Sequence, residues 1–509
     1  MFMKSTTDLV ARYKDEIEGV LGCFDRLVVT GTLTEVAHPE AMASVLRREG
    51  IRCFDIGQFA EPLRERVRDN ALEQACLAGA RVEYLARSKG VRKENIVAKV
   101  LADRGKHPGL VHVLSVMEAC TTFKPWHDKT TGKTGVKMVP GKCATFYFYL
   151  MDPDLGLMYV RVPTWLPCRL QIYFNVHHWL AGKLLAEGIG YEMEDNAFVK
   201  IGDWKRAQEL ASGFSVQEWE KKFHALAARF APVVEKFPRG YHWSVLQVEH
   251  SLDVVFKRRE VLGPLYEEIS RQAVLAVRVP DMARFWGKRY SPEAEAQSDF
   301  KTLVEGTRIK HALGKQSIKM YDKGGRVLRI EATSNDITFF RHHRKVVSRD
   351  GREEYKMASL KKSIYSLSDV VEILGAACRR YLDFIGTLED RTPARQNLDQ
   401  ISAPVRDPKD RSWRGFNLFL KEDQMVLLAI LRGEFTLHGL SNKRLRALLP
   451  EKNSSQMARI LKRLHLHKLI KRVGRTYRYY LTGLGRRLLV AAEKLHQWII
   501  LPELQPALT

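Results

Sequence analysis

The sequence predicts an α+β multidomain protein with an N-terminal α/β region, a central antiparallel sheet and a smaller, mainly helical C-terminal domain. A chain of 509 residues is too long for a single hydrophobic core. Strand-like alternation and helical periodicity both occur before residue 390. Two breaks that contain proline and glycine, at 237–243 and 393–415, separate the patterned segments. We therefore predict domains at 1–235, 240–390 and 414–500, joined by a linker at 391–413.

The overall composition is typical of a folded chain, since 45% of the residues are hydrophobic and 28% are charged. No segment approaches the roughly 18 apolar residues of a membrane span, and the N-terminus carries acids where a signal peptide is apolar. The seven cysteines are scattered and form no CxxC pair, which argues against a disulfide framework and against a zinc ribbon. We expect a cytoplasmic protein.

The net charge is the strongest global signal. The chain has 83 Lys and Arg against 59 acids, a net charge of +24 and a pI near 9.7. An excess of this size indicates a polyanionic partner, usually nucleic acid. Generic solubility is the alternative, and local clustering of the charge decides between the two.

The N-terminal region carries one candidate chemical residue on a predicted strand. The segment FDRLVVTGTL (24–33) predicts a strand with Asp25 near its start. An aspartate on a first strand is compatible with an RNase H-like nuclease or transposase core, although a lone strand aspartate is more often structural. His177 and His178 are possible ligands, but adjacent histidines in an aromatic-rich segment more often serve packing.

The C-terminal region predicts three helices followed by a hairpin. SNKRLRALLP (441–450) starts at a Ser/Asn cap and stops at a proline, and SSQMARILKRLHLHKLI (454–470) carries an apolar stripe. KRVGRTYRYYLT (471–482) predicts two short strands joined across Gly474-Arg475. This order resembles the MarR-like winged helix-turn-helix DNA-binding domains over roughly 85 residues. The resemblance implies duplex binding by a recognition helix and a wing, and such domains commonly work as dimers.

The charge of this region favours DNA over a protein partner. Between residues 443 and 487 there are fourteen Lys or Arg and one acid. A winged helix that binds protein is the alternative, but such domains rarely concentrate this much charge. The predicted DNA contacts are Lys443, Arg444, Ser455, Gln456, Arg459, Lys462, Arg463, Lys471, Arg472, Arg475 and Arg478.

The central stretch GKQSIKMYDKGGRVLRIEAT (314–333) predicts a hairpin. Its two alternating runs present their polar sets on one side only if the loop has three residues, 324–326, with glycine in the left-handed region. That register places Tyr321 beside Arg329 and Lys319 beside Glu331. The alternative is a half-exposed sheet whose cross-strand ion pairs are worth a few tenths of a kcal/mol each.

A second alternating strand, VLQVEHSLDVVF (245–256), and a helix precede this hairpin. The strand places three polar residues on one face, namely Glu249, Ser251 and Asp253. It places four apolar residues on the other, namely Leu246, Val248, Leu252 and Val254. With GKQSIKMYDK and LRIE, this order resembles the rolling-circle replication initiator (Rep) proteins of plasmids and filamentous phages over about ninety residues.

The resemblance implies a nicking enzyme with a divalent metal. It implies that Glu249, Asp253 and Glu331 bind the metal and that Lys323 lies near the phosphate. The nucleophilic tyrosine of the family usually precedes the glycine-serine turn, where this sequence has RIKHALGKQS and no tyrosine. Either Tyr321 is the nucleophile, with Lys323 and Glu331 as further catalytic residues, or this core binds nucleic acid without cutting it.

Three functions remain open on the sequence alone. The first is a replication initiator of a mobile element that nicks DNA with Mg²⁺ or Mn²⁺, the hard metals that carboxylates prefer, with the winged helix choosing the site. The second is a non-catalytic transcriptional regulator, and the third is a nuclease or transposase centred on Asp25. RHHRK (341–345) predicts a second basic loop and favours nucleic-acid processing. RNA also remains possible as a partner.

Overall fold

The computed structural model divides the chain into two compact units, 1–389 and 390–509. It describes residues 9–86, 90–105, 107–289, 300–347, 351–389, 399–417, 419–431, 435, 439–474 and 476–495. Within these residues, no helix combines the length and the apolar character needed to cross a bilayer.

The first unit is a mixed α/β fold built on one large sheet. Its helices are α1 (Leu9–Arg12), α2 (Pro39–Arg48), α3 (Ile56–Leu77), α4 (Lys93–Arg104), α5 (Val176–Ala186), α6 (Trp204–Ser212), α7 (Val216–Phe230), α8 (Arg259–Ala276), α9 (Val279–Phe285) and α10 (Leu367–Glu389). Its first strands are β1 (Ile17–Leu33), β2 (Val82–Tyr84), β3 (Gly109–His127), β4 (Thr134–Asp152), β5 (Gly156–Pro163), β6 (Leu170–Asn175), β7 (Tyr191–Glu194) and β8 (Ala197–Ile201). The later strands are β9 (Tyr241–Phe256), β10 (Phe300–Glu305), β11 (Arg308–Leu313), β12 (Gln316–Lys323), β13 (Val327–Ser334), β14 (Arg341–Val347) and β15 (Glu353–Ser359).

Eleven strands form the large sheet in the order β10-β11-β12-β13-β9-β1-β6-β5-β4-β3-β2. Its pairs are antiparallel except β2 with β3, which is parallel. Strand β1 lies in the interior, hydrogen-bonded to β6 on one side and to β9 on the other. The break predicted at 237–243 is therefore a turn into β9, and the predicted domains 1–235 and 240–390 share one sheet. The two compact units divide between residues 389 and 390.

One face of the sheet, here called the back face, forms the main hydrophobic core. The strand registers place Phe174, Leu27 and Val248 side by side on it, and Ile330 beside Met320. All five are fully buried. Helices α7, α8 and α10 pack against this face. Burial of this apolar surface stabilises the unit. Because side chains alternate between the two faces along each strand, the buried face also determines which side chains lie on the opposite face.

The opposite face, here called the front face, is covered at two places. Helix α4 packs on β3 and β4 around Val97 and Tyr147, and the β7–β8 hairpin packs on Val255 and Val327. Between these patches the front face carries polar and aromatic side chains, here called the front tract. Its members are Tyr159, Tyr173, Arg26, Glu249, Glu331, Lys319 and Tyr321.

The predicted register of the β12–β13 hairpin is confirmed. Lys319 pairs with Glu331 and Tyr321 pairs with Arg329 across a loop at 324–326. Both glycines of the loop have positive φ, 66° and 75°, a region that side chains with a Cβ rarely adopt. The polar side of this hairpin is not half exposed, however, because Arg329 and Glu331 are 0% and 3% exposed.

Two further sequence predictions need correction. RHHRK is not a loop but most of β14, which pairs with β15 in a separate two-stranded ribbon. Leu246 does not share the buried environment of Val248, since it is 40% exposed while Val248 is fully buried. The cause is a β-bulge: Val28 and Val29 of β1 pair with Gln247 and Val245, so Leu246 is an extra residue in β9.

The second unit has its own core. Its helices and strands are β16 (Val405–Arg406), β17 (Ser412–Trp413), α11 (Lys421–Leu431), α12 (Asn442–Leu448), α13 (Ser454–Leu466), β18 (Ile470–Arg472), β19 (Tyr479–Leu481) and α14 (Gly483–Leu495). Strands β18 and β19 pair as predicted for 471–482. The described part of the predicted linker is folded rather than extended, because β16 and β17 form a hairpin and Ile401 joins this core.

Candidate functional site

Three carboxylates meet on the front face of the sheet. Asp25, Glu249 and Glu331 each offer an oxygen atom, and these atoms lie within 4.8 Å of one another. Their residues are 5%, 4% and 3% exposed. Buried acids at this separation repel one another unless protons, cationic side chains or a metal ion compensate the charge.

A second β-bulge explains how Asp25 reaches this position. Phe24 and Leu27 of β1 pair with His250 and Val248, so Asp25 and the residue after it together oppose Glu249. A bulge of this kind changes the direction of a side chain. Glu331 comes from β13, which pairs with β9 on the side opposite β1. Thr333, two residues further along β13, pairs with Glu249.

Asp253 is not part of the acidic triad, which corrects the predicted metal-ligand set. Its two carboxylate oxygens accept hydrogen bonds from Arg329 at 2.7 and 2.6 Å. Both residues are buried, and they face each other across the β9–β13 pair. Despite burial, the charges of Asp253 and Asp25 hold the pKa of Arg329 well above its usual range. Asp253 therefore neutralises Arg329. Asp25 occupies the position in the acidic cluster that was predicted for Asp253.

Asp25 is held by residues from β6, α5, β13 and the turn between β7 and β8. Its Oδ1 accepts hydrogen bonds from Asn175 at 2.6 Å and from Asn196 at 2.8 Å. The His177 ring at the start of α5 lies 3.3 Å from the same oxygen, and Arg329 lies 3.4 Å from Oδ2. Burial acts against ionisation, but His177 and Arg329 together lower the pKa of Asp25 below its usual range. Asp25 is therefore a fixed negative charge.

Glu331 connects the acidic cluster to the predicted nucleophile. The hydroxyl of Tyr321 donates to Glu331 Oε2 at 2.9 Å. The ammonium of Lys319 donates to the other oxygen of Glu331 and lies 3.4 Å from Glu249. Tyr321 is half-buried, and burial together with the charge of Glu331 raises the pKa of its phenol.

Glu249 is the acid of the cluster that resists ionisation, although two cations lie near it. Arg26 lies 3.7 Å from one of its oxygens, and the Arg26 side chain is 47% exposed. Thr333 donates to the other oxygen at 3.4 Å. Burial, and then the charge of Glu331, raise the pKa of Glu249 to about 7. An acid that retains its proton near neutral pH marks a place where an added cation is favourable.

Lys323 does not contact the three acids directly, because the side chain of Asn196 lies between Lys323 and Asp25. Its ammonium donates to Asp195 at 2.9 Å and to the side chain of Asn196, and Asn196 in turn donates to Asp25. The structure thus brings together Tyr321, Glu249 and Glu331 as predicted. It joins Lys323 to them only through the turn between β7 and β8.

Sequence reasoning treated Asp25 and Tyr321 as belonging to different hypotheses, and the structure brings them to one site. Tyr321 bonds to Glu331, whose carboxylate lies within 4.8 Å of that of Asp25. His177 was considered only as a possible ligand and Asn196 not at all, so their role in holding Asp25 was missed. No local pattern marks this role, because it depends on how α5 and the β7–β8 hairpin meet β1 in space.

The second unit exposes most of the predicted DNA contacts. Exposed residues on α12, on α13 and in the β18–β19 region are Lys443, Arg444, Ser455, Gln456, Arg459, Lys471, Arg472 and Arg478. Lys462 is exposed but binds Asp407 at 2.5 Å and lies over the Trp413 ring. Arg475 lies outside the described residues.

Arg463 is the clear exception among these predicted contacts. Its guanidinium donates to both oxygens of Asp423, at 2.8 and 2.9 Å. The central carbon of the guanidinium lies 3.7 Å from the ring centroid of Phe416. The residue is only 9% exposed. Arg463 is a structural residue of the second unit and not a DNA contact, because Asp423 and Phe416 pack against this part of α13 and cover it.

Comparisons with known proteins return nothing for this chain: no family model matches it, and no curated protein or solved structure does.

Proposed function

We propose that the protein binds DNA and cleaves one strand with the help of a divalent metal at the acidic cluster. The observation that carries the proposal is the meeting of Asp25, Glu249 and Glu331 beside the hydroxyl of Tyr321. The net charge of +24 supports a polyanionic substrate. Phosphodiester cleavage needs a nucleophile, a proton acceptor and positive charge at the phosphate, and this site offers a group for each role.

Asp25, Glu249 and Glu331 would hold the metal, and their oxygen ligands suit Mg²⁺ or Mn²⁺. When bound, such an ion polarises the phosphate and stabilises the charge that grows on its oxygens. The raised pKa of Glu249 supports this assignment, because burial and the nearby charge of Glu331 oppose its ionisation, and a bound cation would offset both.

Amino-acid side chains of the protein carry out the remaining steps of the reaction. Glu331 accepts the phenolic proton of Tyr321, the phenolate oxygen bonds to phosphorus, and the bond from phosphorus to the leaving oxygen breaks. The ammonium of Lys319 contacts both glutamates and can return a proton to that leaving oxygen. The product is a strand joined covalently to Tyr321 and a strand with a free hydroxyl.

The second unit supports a role in duplex recognition. Its order of helices followed by the β18–β19 hairpin and a last helix fits a winged helix-turn-helix, with α13 as the recognition helix. Arg459 on α13 and Arg472 on β18 are both exposed. In this proposal the second unit selects the duplex, and the front tract of the first unit performs the cleavage.

The test is a cleavage assay on supercoiled plasmid and on circular single-stranded DNA, with Mg²⁺, Mn²⁺ or EDTA. We expect nicking that requires metal and a labelled strand that remains attached to the protein in denaturing gels. Tyr321→Phe abolishes the attachment, and Asp25→Asn and Glu331→Gln abolish the cleavage. Tyr365→Phe is the matched control, because the Tyr365 hydroxyl also donates to a glutamate, Glu220, and it belongs to no part of the cluster.

A metal-dependent nuclease that uses water as nucleophile is the second candidate. The raised pKa of the Tyr321 phenol favours it, because burial and the charge of Glu331 oppose formation of the phenolate. It predicts cleavage that Tyr321→Phe leaves intact and that Asp25→Asn abolishes. Salt-dependent duplex binding without cleavage under any metal would contradict both candidates and leave a DNA-binding regulator.

A further inference from the structure

A cavity of about 300 Å³ opens on the front face, the same side of the sheet as the acidic cluster. Its lining includes Thr32 of β1, Gln171 of β6, Leu246 of β9 and the loop residues Trp165 and Arg169. The bulge in β9 makes Leu246 an exposed apolar residue at this place, with 40% of its surface accessible. The volume is at the lower end of the range of sites that bind small molecules or flat ring systems.

The cavity and the acidic cluster are connected along one strand. Alternate residues of β6 face the front, so Asn175, Tyr173 and Gln171 follow one another about 7 Å apart. Asn175 bonds to Asp25, and Gln171 lines the cavity. Between them Tyr173 stacks on the ring of Tyr159 at 4.9 Å. The cavity therefore begins about 14 Å from the cluster, the span of a few nucleotides.

Three polar side chains that line the cavity are unpaired within the described part of the chain. The Gln171 amide, the Thr32 hydroxyl and the Arg169 guanidinium have no hydrogen-bond or ion-pair partner there. An amide and a hydroxyl are the groups that pair with the edges of unpaired bases, and an indole such as that of Trp165 stacks on their faces. Arg26 lies 5.5 Å from the Tyr173 ring centroid and adds a half-exposed cation along the path.

We propose that this cavity is a nucleobase subsite that receives one unpaired base of the DNA strand whose phosphodiester lies at the acidic cluster. The inference rests on the proposed function and adds a position at which the first unit reads a base directly. Trp165 stacks on that base, Gln171 and Thr32 contact its edge, and Arg169 binds a neighbouring phosphate.

The test measures binding by the full-length protein in EDTA, so that no cleavage occurs. The probes are fluorescent single-stranded oligonucleotides of dT, dA and dC, together with an abasic strand of the same length. We expect Trp165→Leu to weaken binding to the base-containing strands about five- to hundredfold and to leave the abasic strand unchanged. Gln171→Ala reduces the difference in affinity among dT, dA and dC.

Phe54→Leu is the matched control, because Phe54 is an aromatic residue that is 57% exposed outside the front tract. Thermal melting checks that each variant is folded. Unchanged binding by folded Trp165→Leu, with nicking retained, would overturn the subsite and leave the proposed function intact. A parent protein that neither binds nor cuts DNA would overturn both, and tighter binding of RNA oligonucleotides of the same sequence would overturn the assignment to DNA.

Discussion

At the scale of single residues, two aspartates that share one face of the sheet have different roles. Asp253 accepts two hydrogen bonds from Nε and Nη2 of Arg329, at 2.7 and 2.6 Å. Asp25 has only a 3.4 Å contact with Arg329, accepts hydrogen bonds from two neutral amides, and approaches Glu249 and Glu331. Removal of one partner of a buried ion pair leaves the other charge uncompensated. The chemistry of the site therefore depends on Asp25, and the stability of the strands around it depends on Asp253.

Asp253→Asn tests this division. We expect it to lower the free energy of unfolding of the first unit by about 3 kcal/mol, because Arg329 stays buried without its main counter-charge. Urea denaturation followed by circular dichroism measures the change. Asp195→Asn is the control, since Asp195 is 86% exposed in its pair with Lys323 and its loss costs at most about 1 kcal/mol. Equal effects of the two substitutions would contradict the structural role of Asp253.

Glu249 gives the site a distinct dependence of stability on pH. Its pKa is raised from 4.5 to about 7 in the folded chain, so between these values the folded state holds a proton that the unfolded state has lost. The resulting stabilisation is fully present below pH 4.5 and is lost as the pH rises through 7. In EDTA we expect Glu249→Gln to be more stable than the parent at pH 8 by about 2 kcal/mol, with a smaller difference at pH 5.

Thermal denaturation in EDTA across this pH range checks the prediction for Glu249. Glu209→Gln on α6 is the control, because the Glu209 side chain is 51% exposed. A difference between Glu249→Gln and the parent that stays constant from pH 5 to pH 8 would show that Glu249 is ionised throughout.

At the scale of elements, α13 presents two arginines four residues apart to different surroundings. Arg459 is exposed, and Arg463 is bonded to Asp423 beneath the helix. We expect Arg459→Ala to weaken duplex binding several-fold and to reduce the slope of log K against log salt concentration by about one. The free energy of unfolding of the second unit should not change. Arg463→Ala destabilises the second unit by about 3 kcal/mol. Fluorescence anisotropy at several salt concentrations and urea denaturation separate the two effects, and equal stabilities would contradict the assignment.

Local elements could be predicted from the sequence wherever the pattern and the turn chemistry agreed. The register of the β12–β13 hairpin followed from two alternating runs and a Gly-Gly loop. The inward position of Arg463 could not be predicted, because it lies on the same polar helix face as the exposed Arg459, and only the tertiary contact with Asp423 buries it. The exposed position of Leu246 was missed for a similar reason, since a bulge depends on the pairing partner and not on the strand itself.

At the scale of the whole molecule, the sequence indicated the division near residue 390 but not the single sheet before it. The pairing of β1 with β9 joins residues more than 200 positions apart, and no local signal indicates such a contact. The candidate site depends on that pairing, because it brings Asp25 to Glu249. Two of the three acids of the cluster could therefore be named from the sequence, and the third could not be placed beside them.

The two units have separate hydrophobic cores, so we expect them to unfold separately. Differential scanning calorimetry of the full chain should resolve two transitions. Asp253→Asn lowers the midpoint of one, and Arg463→Ala lowers the midpoint of the other. A single transition that both substitutions shift would show that the units unfold as one cooperative body.

The interior position of β1 also has a consequence for synthesis on the ribosome. β1 ends at Leu33, and β9, which completes its hydrogen bonding, begins at Tyr241. At 5 to 20 residues per second, one edge of β1 remains unpaired for about 10 to 40 seconds while the intervening chain is made. During that time an apolar strand with free amide and carbonyl groups is open to pairing with other chains, so the nascent protein depends on shielding by chaperones until residue 256 has emerged.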